Sequence, residues 1–188
     1  MKKNKSETIK FISRAALFTA AEIVLQVIGT LIPTSVNLNL SLIPITLGAL
    51  FYGPVMGCYL GFVCGLLIMA SPNTIMFFEI SPIGTVLACL FKTGLAGLLV
   101  GFIGKWLRNK NDIAGSIIAS IAVPVVNTGI FVLVSYFFFM EGLGIPDFGT
   151  LFIAFIGVNF AFEVVTNSII APILYKTLLP TVKRNENN

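Results

Sequence analysis

Leu38-Asn-Leu-Ser-Leu-Ile-Pro-Ile-Thr-Leu-Gly-Ala-Leu-Phe-Tyr52-Gly53-Pro54-Val-Met-Gly57-Cys-Tyr-Leu-Gly61 opens an uncharged, apolar text that runs on to Ala70. A membrane span takes roughly 20 apolar residues, fewer where protein shields it. The stretch is therefore too long for one span and too short for two full ones. Tyr52-Gly53-Pro54 is a turn signal in its middle. The reading is two short helices, 38–52 and 54–70, joined by an uncharged tight turn. Working outward, 11–32 is a helix ended by Pro33, and 82–106, 113–140 and 151–179 follow. The chain reads as an all-α integral membrane protein, a compact bundle of six transmembrane helices, with residues 1–188 forming a single membrane domain.

The charges orient it. Lys and Arg of short loops stay on the cytoplasmic side. Basic residues gather at the start (Lys2, Lys3, Lys5, Lys10, Arg14), in the middle (Lys105, Arg108, Lys110) and at the end (Lys176, Lys183, Arg184). Glu79, Glu141 and Asp147 fall in the loops between. Both termini and the central loop are expected inside the cell and the acidic loops outside. An even number of spans follows from the basic clusters at both ends, in agreement with the helix count.

Composition excludes several classes of protein. The chain is 56% hydrophobic and 11% charged, with mean hydropathy +0.96. Soluble domains carry about 25% charged residues. The net charge of +4 comes from the basic clusters and gives no concentrated face for nucleic acid. The first apolar segment carries Arg14 and Glu22 and leads into further spans, so it reads as a retained helix rather than a cleaved signal. Cys58, Cys64 and Cys89 are isolated in apolar segments and read as small buried hydrophobes. There is no histidine, no Gly-x-Ser-x-Gly and no phosphate-cradling glycine loop. Neither an enzyme nor ATP-driven transport by this chain alone is expected, and no cofactor or metal is called for.

The informative residues are polar groups stranded in apolar text. Glu22, Lys92 and Glu163 fall near mid-membrane, where a charge costs roughly 2.5–3.5 kcal/mol on insertion scales. Each must face the bundle interior or a wet cavity. Asn159, Glu163 and Asn167 recur every fourth residue on one helix face. Asn127 follows Pro124, and it, Thr128 or water would satisfy the carbonyl that the proline leaves free. Lys92, Asn127, Asn159 and Glu163 thus converge from three helices, the usual form of a small-molecule site. A structural Lys92–Glu163 ion pair is the alternative. The outer segments hold Phe77, Phe78 and Phe148, which would either close over a ligand or anchor at the interface. On the first helix, Ala16 and Ala20 share a face about 140° from Glu22 at 100° per residue. That small, smooth face suits either docking of another helix or internal packing.

With these features the chain resembles the S components of energy-coupling factor (ECF) vitamin transporters. The resemblance rests on size, six helices, Ala16-x-x-x-Ala20, and the text from Asn37 through the Gly53-Pro54 hinge into a glycine-rich third helix. It implies a membrane-embedded binding subunit for a vitamin or related micronutrient. Its expected partners are a transmembrane coupling subunit and two ATPase subunits. It also implies that Ala16 and Ala20 meet the coupling subunit, while Lys92, Asn127, Asn159 and Glu163 approach the ligand. Lys92 favours a carboxylate or phosphate and the asparagines suit hydroxyls or amides. Pantothenate fits, and riboflavin or another vitamin stays open. A tryptophan-rich thiamin site is disfavoured, because the single Trp106 lies at the cytoplasmic edge. A self-sufficient proton-coupled transporter using Glu22 and Glu163, and a structural or assembly subunit, are the readings from other classes.

Overall fold

The computed structural model describes residues 2–31, 39–108, 112–155 and 157–187. The expected helix end at Ile32 and Pro33, the Asn37-Leu38 text, and Asn109 and Lys110 of the central loop lie outside them. The described chain forms eight α-helices: α1 (Lys2–Leu31), α2 (Leu42–Tyr52), α3 (Pro54–Met69), α4 (Ile75–Ile80), α5 (Pro82–Arg108), α6 (Asp112–Phe138), α7 (Phe148–Phe155) and α8 (Val158–Asn187).

The turn between α2 and α3 falls at Gly53-Pro54, as expected. Gly53 has φ +89°, a backbone state that side chains resist, and Pro54 supplies the preset first residue of α3. Helix α2 has 11 residues. At ~1.5 Å per residue it is about 16 Å long, roughly half of a hydrocarbon core about 30 Å thick. It tolerates this because Leu42 through Phe51 are all buried among the other helices. Around it lie the fully buried Met56, Leu60 and Cys64 of α3, Val100 of α5, Val123 of α6 and Ala171 of α8.

The described helices include four that are long and apolar enough to cross a membrane, within α1, α5, α6 and α8. A fifth results if α3 is taken with the segment Pro72–Ile80, which bends away from it by 81°. Polarity is distributed inside out. Leu17, Val55, Ile83, Phe137 and Ile153 are strongly exposed, whereas Glu22, Thr46, Thr93, Ser120 and Asn167 are buried. Such a surface is stable only against lipid.

The antiparallel α3–α5 seam is the tightest contact. Gly57 faces the Gly97 carbonyl, Gly61 faces the Thr93 carbonyl, and Gly65 faces that of Cys89 at 2.6 Å from where a Cβ would stand. The two small-xxx-small motifs legible in the sequence, Gly57/Gly61 and Gly97/Gly101, are packed on one another, with Gly101 against the Pro54 backbone. Any side chain at Gly57 or Gly61 would strike backbone, which cannot yield as a flexible side chain can.

Several boundaries differ from those expected: α1 begins at Lys2 rather than 11, and the last helix runs to Asn187 rather than 179. Helix 151–179 is not one element, because α7 ends at Phe155 and α8 starts at Val158, with Gly157 between them in a bend. Apolar text conceals such a break, and glycine is the one residue there that weakens a helix. The segment after α3 is also more ordered than a loop. A 3-10 turn (Pro72–Thr74) leads into α4, and the Thr74 hydroxyl donates to the Ile68 carbonyl at 2.7 Å.

Candidate functional site

A cavity of about 240 Å³ lies at one end of the bundle. Its wall is built from the last turns of α1, the first turns of α5 and α8, and the second half of α6. Lys92, Asn127, Asn159 and Glu163, carried by three different helices, all line it.

The Lys92 ammonium sits 4.7 Å from the centre of the Phe131 ring, a cation–π contact. Among the described residues it makes no ion pair with Glu163. Such a pair, Lys183 with Asp112 at 3.5 Å, belongs to the opposite end of the bundle. Lys92 thus lines the cavity against the Phe131 ring, with Glu163 near but not ion-paired. Asn127 is 4% exposed, and its Oδ1 is buried without a hydrogen-bond partner. An orphaned buried acceptor costs about 1–3 kcal/mol, so this wall is incomplete until a donor fills it. Glu163, on the facing helix, is close to both Asn127 and Lys92, and Asn159 stands one turn earlier.

The rest of the wall is not evident from the sequence. Thr85 and Cys89 line it on the same face of α5 as Lys92. Cys89 is buried as expected of a small hydrophobe, yet it also forms part of the wall. From α1 come Gln26 and Thr30. The apolar side is a trio of rings. Phe77 lies 5.9 Å from Phe131 and 5.1 Å from Phe139 between centroids, edge to face as aromatic pairs prefer. Phe77 thus belongs to the wall, whereas Phe148 packs on Tyr136 and Phe152. Asp147 caps α7. It accepts bonds from the Thr150 amide at 2.9 Å and the Thr150 hydroxyl at 2.8 Å. Those bonds hold its carboxyl below the usual carboxylate range. The cap is therefore fully present above that range and is lost only as pH falls through the lowered value.

Two stranded polar residues lie outside the cavity. Asn167, the third member of the inward stripe with Asn159 and Glu163, is buried between α6, α8 and α2 and does not line the cavity. Pro124 of α6 has no N–H for the Ser120 carbonyl one turn back. Sequence alone assigns that carbonyl to Asn127, Thr128 or water. The structure gives it to α8, for Asn167 Nδ2 donates to Ser120 O at 2.6 Å and to Thr46 Oγ1 at 3.0 Å. Glu22 is fully buried on the inner face of α1, both carboxylate oxygens without a hydrogen-bond partner. One turn on, Gln26 Oε1 accepts from Ser41 at 3.0 Å and meets the cavity. Ala16 and Ala20 are exposed on the outer face of α1.

An apolar helical bundle enclosing a polar-walled cavity is the form of a membrane-embedded protein that holds a small molecule. The family model "ECF transporter, substrate-specific component" matches residues 10–175, and the chain belongs to that family. The pantothenic acid transporter PanT of Lactococcus lactis subsp. cremoris (strain MG1363) is 28% identical over 206 aligned residues, which cover the whole of both chains. No solved structure matches the chain.

The Asn167–Ser120 bond can be tested by a double-mutant cycle. Asn167→Leu should destabilise the protein by about 1–3 kcal/mol, because it orphans the Ser120 carbonyl. Pro124→Ala restores an N–H for that carbonyl, so Asn167→Leu should cost distinctly less in that background. Unfolding in detergent measures both, and strictly additive effects would mean that Asn167 does not serve the proline's carbonyl.

Proposed function

We propose that the chain is the pantothenate-binding subunit of an ECF transporter, with Lys92, Asn127, Asn159 and Glu163 as its ligand contacts. The observation that carries this reading is a Lys92 without an ion pair among the described residues, set beside the orphaned Asn127 Oδ1 on one cavity wall. Such a wall asks for a ligand with an anionic end and hydroxyl or amide donors, and pantothenate carries a carboxylate, an amide and two hydroxyls. The cavity, at about 240 Å³, is a little smaller than the usual site for a drug-sized molecule. That suits a compact linear acid better than a three-ring flavin. The whole-length similarity to a pantothenic acid transporter supports the same ligand.

In this reading the bundle has six spans, the short α2 being one of them under the shelter of its neighbours, and forms a single membrane domain. Lys10, Arg14, Lys105 and Lys183 gather at the end away from the cavity. By the positive-inside rule that end and both termini are cytoplasmic, and the cavity opens outward. Ala16 and Ala20 form the face on which a transmembrane coupling subunit docks, driven by two ATPase subunits. Their exposure and their position opposite the buried Glu22 favour docking over internal packing.

Titration of the purified chain with pantothenate tests the ligand assignment. Lys92→Met should weaken binding roughly 30-fold or more, as loss of a buried charge partner costs about 2–5 kcal/mol. Unchanged affinity for pantothenate in a folded Lys92→Met protein, or tighter binding of riboflavin by the wild type, would refute it. For docking, Ala16→Trp with Ala20→Trp should abolish co-purification with the coupling subunit while pantothenate affinity stays within about twofold, since bulk there holds a helix away without reaching the cavity. Normal assembly of the double variant removes the docking role. The orientation is checked with single cysteines in a cysteine-free background on sealed cells. Asn73 and Gly144 should react with an impermeant thiol reagent added outside, and Asn109 should not.

A further inference from the structure

The opposite end of the bundle contains a second and larger crevice, of about 540 Å³. Lys10 and Arg14 of α1 enter it from one side and Lys105 of α5 from the other, against the single carboxylate of Glu7. The Tyr52-Gly53-Pro54 turn forms its floor. Arg14 is held in place, its guanidinium 4.4 Å above the Tyr52 ring, which itself meets Phe18 edge to face at 6.0 Å. Lys10 and Lys105 are exposed, and among the described residues neither has an ion-pair partner. Like charges gathered from two helices repel unless an anion lies between them. The floor adds to the positive potential. The first turn of α3 has no side-chain cap, and the space beside the Gly53 Cα is open.

The surroundings decide what kind of anion fits. The crevice is not closed toward the membrane. Phe11, one of its lining residues, is exposed and leads onto the exposed Tyr59 of α3, with the two rings edge to face at 6.4 Å. Trp106, next to Lys105, is 64% exposed, as aromatic residues are at the membrane interface. A cationic pocket thus borders exposed aromatic surface on α1 and α3. A free anion would use only the first of these features, whereas a phospholipid uses both.

We propose that this crevice binds the phosphate headgroup of an anionic phospholipid, held by Lys10, Arg14 and Lys105, with its acyl chains along Phe11 and Tyr59. Basic pockets between membrane helices bind acidic headgroups in this way, each cation contributing about fivefold in affinity near the surface. The site is independent of the ligand cavity, from which it is separated by the length of α2 and α3. The test is native mass spectrometry of the full chain in mild detergent, titrated with dioleoylphosphatidylglycerol, dioleoylphosphatidylcholine or inorganic phosphate. Phosphatidylglycerol should bind at least tenfold more tightly than phosphatidylcholine, and inorganic phosphate at the same concentration should not displace it. Lys10→Gln with Lys105→Gln should lower phosphatidylglycerol affinity by about thirtyfold, and Lys10→Arg with Lys105→Arg should restore it. Pantothenate affinity should be equal in all three proteins, which separates this site from the ligand assignment and reports that each variant is folded. Equal binding of the two lipids, or full phosphatidylglycerol binding by the glutamine variant, overturns the proposal. Displacement by inorganic phosphate makes the crevice a site for a free anion instead. Glutamine substitutions that spare lipid binding but abolish assembly with the coupling subunit make it a protein interface, which equally overturns it.

Discussion

The bundle depends on how it resolves one missing hydrogen bond. Pro124 lies near the middle of α6, among buried residues, and leaves the Ser120 carbonyl without its helical donor. Asn167 supplies the donor from α8, and its amide also reaches Thr46 on the buried α2. One side chain therefore fixes the relative height of three helices. Asn127 lies one turn beyond the proline on α6, and Glu163 one turn before Asn167 on α8. Locking Ser120 to Asn167 brings these two face to face at the base of the cavity. A purely apolar α6–α8 interface would hold the helices together with less control of their register, since lipid offers no hydrophobic penalty for sliding.

The α3–α5 seam serves the same end by a different means. Glycine removes the side chains that would separate the helices, so carbonyls of α5 come within contact of α3. Close packing on that face of α5 forces its bulkier and polar residues to other faces. Thr85, Cys89 and Lys92 form the row that results along the cavity. Lys92 is then far from both lipid and the basic end, with the Phe131 ring to lean on and no carboxylate among the described residues paired with it. A cation is costly in this setting, and the Phe131 ring and the nearby Glu163 are the groups that offset it.

The cavity residues legible in the sequence are those with an evident cost of burial. Lys92 and Glu163 stand out in apolar text because a charge in hydrocarbon demands an explanation, and Asn127 and Asn159 because an amide does. Thr85 and Phe131 give no such signal, since threonine can bond its own helix and phenylalanine is at home in lipid. The Thr85 hydroxyl bonds the Ser81 carbonyl at 2.8 Å. The partner of Pro124 is hidden for another reason. Asn127 and Thr128 are near neighbours of the proline in sequence, whereas the residue that answers it is 47 positions from the carbonyl it serves. Periodicity within one helix gives no information about which face of a distant helix will meet it. Likewise Asn167 shares the polar stripe of Asn159 and Glu163, and only the depth at which the cavity ends leaves it out of the wall.

Helix α1 joins the two surfaces that the fold keeps apart. It packs loosely, so that most of its apolar residues face outward, including Leu17 at 70% and Val24 at 56% exposure. Glu22 and Gln26 nevertheless turn inward, and Gln26 and Thr30 belong to the cavity wall. Gln26 stands ten positions after Ala16, about 15 Å along the helix at ~1.5 Å per residue. A helix of that length without an internal proline moves as a rod. The bond that Gln26 accepts from Ser41 ties this part of α1 to the start of α2 beside the cavity. The buried Glu22 fixes which face of α1 turns inward, since rotation would carry an unpaired carboxyl into lipid. Helix α1 thus carries an exposed small-residue face at Ala16 and Ala20 and, further along the same helix, side chains that belong to the cavity wall.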